Sequence, residues 1–286
     1  MTGPEAVPAA VVGALLRYPV KSMLGEAVAA ADVTERGLPY DRALALVHRG
    51  SGKVASAKNP RLWRRLLTLS AEAAPEAVRI LLPDGKELRS TDADVDQRLS
   101  DVLEQPVTLT ARPPERAELD RAHPDEVLRE GVRARVGVDV GRLGGAAPAG
   151  TFFDFAPLHL ITSATLRRIG ELSPQGAPAV ARYRPNIVID GAGSGFVEND
   201  WLGRDLRIGD HLTLRVIART PRCAIPTLRH GALPRDTGAL RVPAAHNRVA
   251  PMPDSDPQPC AGVYAQVLRP GRITPGSPLT LLPAAG

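Results

Sequence analysis

The chain has 286 residues, 43 % hydrophobic and 23 % charged, enough for two modest cores and ordinary for a globular protein. Its net charge of +5 is scattered, with no lysine run or aromatic–basic stripe, which excludes a nucleic-acid reader and points to an anionic small molecule. Two cysteines exclude a disulfide framework and a four-thiolate iron–sulfur cluster, and they suggest a reducing, cytoplasmic setting.

In chain order, residues 1–5 are neutral to acidic and lack the basic region of a secretory leader. The apolar stretch 9–16 is too short to span a membrane, so no membrane role is expected. Residues 11–16 predict a first strand, ended by Tyr18-Pro-Val-Lys-Ser22. Short apolar runs at 27–33, 42–47, 66–69, 78–82 and 107–109 predict further strands, with Gly- and Pro-bearing turns between them. One amphipathic helix is expected over 92–103, with Val95, Leu99 and Val102 or Leu103 on a single stripe. Residues 112–151 lose all periodicity and read as linker-like, so a division is placed near residue 125, between units 8–125 and 126–284. A helix is expected over 157–169, with Leu158, Ile161, Thr165 and Ile169 on one face. Strands follow at 187–189, 206–210, 212–217, 263–268 and 279–282. The expected class is mostly β (α+β): a β-barrel-like N-terminal domain, then a second β-barrel with one packed helix.

The sharpest chemistry lies directly after the 212–217 strand. Cys223 falls between Pro221 and Pro226, with Arg219 and Arg222 beside it. The prolines make the loop rigid. Neighbouring guanidiniums favour the thiolate, a soft ligand for a metal that carries negative charge of its own. A purely structural cysteine is the plain alternative. Cys260, in Pro259-Cys-Ala-Gly262, has no cationic neighbours in sequence. Lys21, Ser22 and Arg42 offer an ammonium, a hydroxyl and a guanidinium fork for a phosphate, and Arg182, Arg184, Arg219 and Arg222 extend the cationic set. Gly191-Ala-Gly-Ser-Gly195 fails as a dinucleotide fingerprint because Phe196 stands where glycine is needed. The six histidines show no metal-ligand spacing, and His159 is expected to cap or pack the 157–169 helix. Asp210 and Asp236 read first as turn residues.

Six motifs in order resemble the MOSC proteins, from about residue 11 to 283. They are Tyr18-Pro-Val-Lys-Ser22, Asp41-Arg42, Lys58-Asn-Pro-Arg-Leu62, Arg184-Pro-Asn186, Leu206-Arg-Ile-Gly-Asp210 and Arg222-Cys223-x-x-Pro226-Thr227. In motif content the chain is most similar to the mitochondrial amidoxime-reducing components and their bacterial relatives. The resemblance implies an N-terminal MOSC β-barrel domain, a MOSC domain, and a molybdenum cofactor (Mo-molybdopterin) between them. Cys223 would be the metal ligand and catalytic thiolate, with Arg222 beside it. Lys21, Ser22 and Arg42 would hold the cofactor phosphate and pterin, and Arg184 and Asn186 would line the same site. Thr162, Ser163 and Tyr264 align with cofactor-side positions. The implied activity is reduction of small N-hydroxylated compounds such as hydroxylamines and amidoximes. Electrons would come from an external protein of ferredoxin, flavoprotein or cytochrome type. The alternative is a carrier of molybdenum cofactor or persulfide sulfur, as in the sulfurase C-terminal domain.

Overall fold

The computed structural model describes residues 10–283; the 1–5 stretch read for a leader, and the outermost residues of both expected units, lie outside them. Its centre is the ten-residue strand Leu212–Pro221, whose side chains alternate between a buried and a more open face. That period of two is the pattern of a sheet packed on one side. Leu212–Pro221 pairs antiparallel with the twelve-residue strand Gln258–Arg269, and three register shifts along this pair curl it.

The large sheet runs Leu279–Leu281, Asp205–Ile208, Leu212–Pro221, Gln258–Arg269, Leu158–Thr162, Ile187–Asp190, Val11–Arg17, Glu26–Ala27, with Arg248–Val249 paired to Gln258–Arg269 off that path. Among the described strands of this sheet, only Leu158–Thr162 and Ile187–Asp190 pair in parallel. Leu15, Leu160, Ile189, Leu214 and Val263 from its strands pack into one buried core. A second core gathers Val20, Leu46, Trp63, Ile80, Leu99 and Val107, and includes the expected amphipathic helix, observed as Val95–Leu103. The protein is thus mostly strand, as its composition and turn spacing indicate. Strand pairing crosses the expected division. Val11–Arg17 pairs with Ile187–Asp190, so the first strand belongs to the large sheet, and Ala31–Val33 pairs with Gly271–Ile273 in a separate two-stranded sheet.

Three expectations are corrected. Residues 157–169 are not one helix: Leu158–Thr162 is a strand, and the helix is Ser163–Leu172. Every residue from Leu158 to Thr162 is buried, which a helix with one apolar face cannot achieve but a central strand can. The Thr162 hydroxyl then accepts from Thr165 N at 3.0 Å and starts the helix. The 66–69 run is part of the 3₁₀ turn Arg64–Thr68, and the strand begins afterwards at Ser70–Ala73. Three leucines around a threonine carry no period that separates turn from strand. The linker-like stretch is also built. Glu118–Ala122 pairs with Val138–Arg142, and the helix Pro124–Glu130 lies between them. Ala122 and Val127 pack on Ala224, next to Cys223, so this segment walls the cysteine loop. Among the described residues no helix is long and apolar enough to cross a membrane.

Candidate functional site

Leu212–Pro221 delivers Cys223 two residues beyond the strand's end. Arg222 N donates to Pro259 O at 2.8 Å, and Thr227 closes the following turn by donating from N and Oγ1 to Ala224 O at 3.0 and 2.8 Å. Arg182 holds the rest of the loop. It donates to Leu228 O at 2.9 Å and Pro234 O at 2.6 Å, and lies 3.6 Å from the buried Asp236. Arg182 is therefore a clamp rather than part of the cationic set, and Asp236 is its partner rather than a mere turn residue. Cys223, 7 % exposed, opens on a cavity of about 320 Å³.

The cavity lining carries eight Lys and Arg side chains against a single acid, Asp154. Lys21 donates from Nζ to Phe152 O at 2.8 Å and to Asp154 Oδ1 at 2.6 Å, and Lys58 Nζ meets the same oxygen at 3.1 Å. Burial pulls Lys21 down to about 8, against the pull of Asp154. Burial also opposes the charge of Lys58, but Asp154 and Cys223 carry it above the ordinary lysine value. Burial alone would raise Asp154; the two ammoniums hold it well below the carboxylate range.

Arg42 and Arg184 both stack near Tyr18, their Cζ atoms 4.5 and 4.3 Å from the ring centroid. The buried Asp41 carboxylate accepts from Arg42, and Arg42 Nη2 donates to Arg184 O at 3.2 Å. Burial, helped by Arg42, brings Arg184 down to about 10. Ser22, Arg42 and Arg184 have φ of 65°, 48° and 55°. Each such left-handed residue costs on the order of 1–2 kcal/mol, strain that persists where the surroundings over-determine a site.

Of the ten residues singled out in sequence, Lys21, Ser22, Arg42, Arg184, Asn186, Arg222, Cys223 and Tyr264 line this cavity. Thr162 and Ser163 do not. The Thr162 hydroxyl donates to buried Glu198 Oε2 at 2.7 Å while capping its helix, and Ser163 Oγ accepts from Arg167 at 3.3 Å. Asn186 lines the cavity with its amide already engaged. Its Nδ2 donates to Asp41 Oδ2 at 2.9 Å and Leu16 O at 3.3 Å, and its Oδ1 accepts from His159 N at 3.1 Å. It positions other groups. Ser22 Oγ accepts from Ala57 N at 3.2 Å. The Tyr264 ring packs 5.5 Å from Phe155 and 5.6 Å from His159.

Sequence reasoning gave Lys58 and Asp154 no role in the site and expected His159 only to cap or pack a helix. Lys58 stood inside a motif, but nothing local marked Asp154. His159 is on a strand, not a helix, and burial together with Arg222 keeps its imidazole neutral, well below the usual histidine range. Cys260 does have cationic neighbours: pairing with Pro221 brings it near Arg222 and Arg219. Burial nonetheless pushes its thiol up to about 11.

Two buried polar atoms on lining residues are left without partners, Arg222 Nε and His159 Nε2. A buried donor in that state is completed by a ligand or water. Among the described residues no three or more His, Cys, Asp or Glu side chains gather to hold a metal. A metal at Cys223 would therefore draw its remaining ligands from a bound group, and the cationic lining suits one that is anionic.

The family model described as MOSC domain matches residues 148–280, and that described as MOSC N-terminal beta barrel domain matches residues 9–118. Among solved structures the chain is similar to YiiM from Geobacillus stearothermophilus, at 19 % identity and a TM-score of 0.32, over 44 % of this chain and 54 % of that one. The chain thus spans about half the length of that structure. No curated protein matches.

Proposed function

The chain belongs to the MOSC-domain family, and from that membership we propose that it is a molybdenum-cofactor-dependent reductase of small N-hydroxylated compounds. MOSC domains are associated with molybdenum-cofactor binding in general. The observation that carries the reading is one thiol, Cys223, opening on a cavity whose lining holds eight cationic side chains and one acid. When bound, the cofactor would supply two-electron chemistry at an N–O bond, with electrons from a separate protein of ferredoxin, flavoprotein or cytochrome type.

The chain's own residues then have distinct work. Lys21, Arg42 and Arg184 hold the anionic phosphate end, and Cys223 offers the soft ligand. Reduction of an N-hydroxyl to an amine and water also consumes two protons. Lys58 Nζ, kept charged by Asp154, holds one in the cavity, and the Tyr264 hydroxyl, kept protonated by burial and by Asp154, holds another. The burial of Cys223 suits a ligand inside a cavity better than a persulfide passed between proteins. Two free, buried cysteines fit action in the cytoplasm.

The test is protein made in a molybdenum-replete host, assayed for molybdenum and pterin content and for reduction of benzamidoxime by reduced viologen. Near-stoichiometric metal and turnover are expected. Cys223→Ser should lose both, since a hydroxyl is a poor substitute for the soft anionic ligand, while Cys260→Ser should keep both. Loaded but inert protein would favour the carrier reading; equal loss in the two variants would mean the wrong cysteine has been assigned.

A further inference from the structure

Six of the eight cavity cations have partners in the protein. Lys21 and Lys58 share Asp154, Arg42 has Asp41, Arg184 has Met23 O, Arg222 has Tyr183 O, and Arg219 has Asn199 O and Ala250 O. The side chains of the remaining two, Arg121 and Arg142, make no hydrogen bond or ion pair among the described residues. Both come from the hairpin of Glu118–Ala122 and Val138–Arg142, which forms one wall of the cavity. Arg142 is exposed and Arg121 half-buried, in contrast to the buried Lys21, Arg184 and Arg222. They stand at the mouth. Their cross-strand neighbours do not neutralise them: Asp139, opposite Arg121, meets His123 instead, and Glu118, opposite Arg142, makes no ion pair. The one acid inside, Asp154, is already shared by two ammoniums. The charge of Arg121 nevertheless reaches inward, working against that of Lys58.

A single phosphate is served by the Lys21, Arg42 and Arg184 set, which lies around Tyr18 and Asp154. Two further guanidiniums at the mouth, with fork-shaped donors unused, match a second anionic group. We propose that Arg121 and Arg142 form an anion subsite that binds a carboxylate or phosphate carried by the substrate. The enzyme then favours anionic over neutral N-hydroxylated compounds. This rests on the reductase reading above. The same chemistry would also suit the second phosphate of a nucleotide-extended pterin, a source the experiment separates.

The experiment is calorimetric binding of 4-carboxybenzamidoxime and of benzamidoxime to oxidised holoprotein, parent and Arg121→Gln/Arg142→Gln, with melting temperatures checked. The parent should bind the carboxylate compound about tenfold or more tightly than the neutral one, the scale of a charge-assisted pair. In the double variant that advantage should vanish, with the neutral compound and the metal content unchanged. No preference in the parent, or a preference that survives in the variant, overturns the proposal. Loss of cofactor from the variant, with a nucleotide found on the cofactor released from the parent, also overturns it, because the arginines then serve the cofactor. Since binding is read without turnover, arginine-dependent preference in a protein that reduces neither compound would keep the subsite and remove the reductase reading.

Discussion

Asn186 donates from Nδ2 to the buried carboxylate of Asp41 at 2.9 Å, across 145 positions of sequence. Through that bond the Arg-Pro-Asn motif is tied to the Asp-Arg motif. Asp41 also accepts from Tyr18 N at 2.8 Å and from the Arg42 guanidinium, and Asn186 Oδ1 accepts from His159 N at 3.1 Å. Two motifs that look like separate ligand contacts in sequence are one polar knot in the cavity wall.

Asn186→Ala should therefore act first on stability. It leaves a buried carboxylate and the His159 amide short of partners, a loss of about 2–3 kcal/mol by the usual cost of an unmet buried group. Cofactor content should fall with it, as Asp41, which anchors Arg42, loses one of the donors that hold it in place. Denaturant unfolding reads the first effect and metal analysis the second. A change below about 0.5 kcal/mol, the range of inert surface substitutions, would refute the knot.

Lys21 makes the cradle sensitive to alkaline pH. Its folded value, about 8, lies below the ordinary 10.5, so between these the unfolded chain holds the proton and the folded chain does not. Stability of the ligand-free protein should accordingly rise with pH through this window. Anion affinity should move the opposite way. A neutral Lys21 removes charge from the cradle, and a bound anion favours the ammonium, so binding takes up protons near pH 8. Sulfate, whose own charge is constant there, can be titrated calorimetrically in buffers of different ionisation enthalpy. Lys21→Met should flatten the response, and sulfate affinity that ignores pH in the parent would dismiss the assignment.

Thr162 and Ser163 give a test of placement. Thr162→Ala removes a helix cap and one donor to Glu198, and should cost about 1–2 kcal/mol while leaving molybdenum content intact. Ser163→Ala should stay within about 0.5 kcal/mol of the parent. A Thr162→Ala protein that unfolds normally yet loses its cofactor would return that residue to the site.

Residue type and short spacing, by themselves, determined a good deal. Alternation over 212–217 and the flanking prolines placed Cys223 in a rigid loop behind a strand, and the structure has it there. The phosphate-binding character of Lys21, Ser22 and Arg42, two cations and a hydroxyl, needed only their identities, and the stripe through Val95 and Leu99 announced its own helix. Tertiary structure decided the rest. Leu158–Thr162 is a strand because neighbours on both sides bury it whole, and no window of thirteen residues reveals those neighbours. The quiet stretch around Glu118–Arg142 became a cavity wall through a hairpin with too few apolar residues to show a period. Asp154 meets Lys21 across 133 positions, and Asn186 turns its amide inward to an aspartate 145 positions away. A local pattern records what one segment needs from water and from its own backbone; which distant charge satisfies a buried one is settled only when the sheet closes and desolvation makes an unpaired ion too costly to keep.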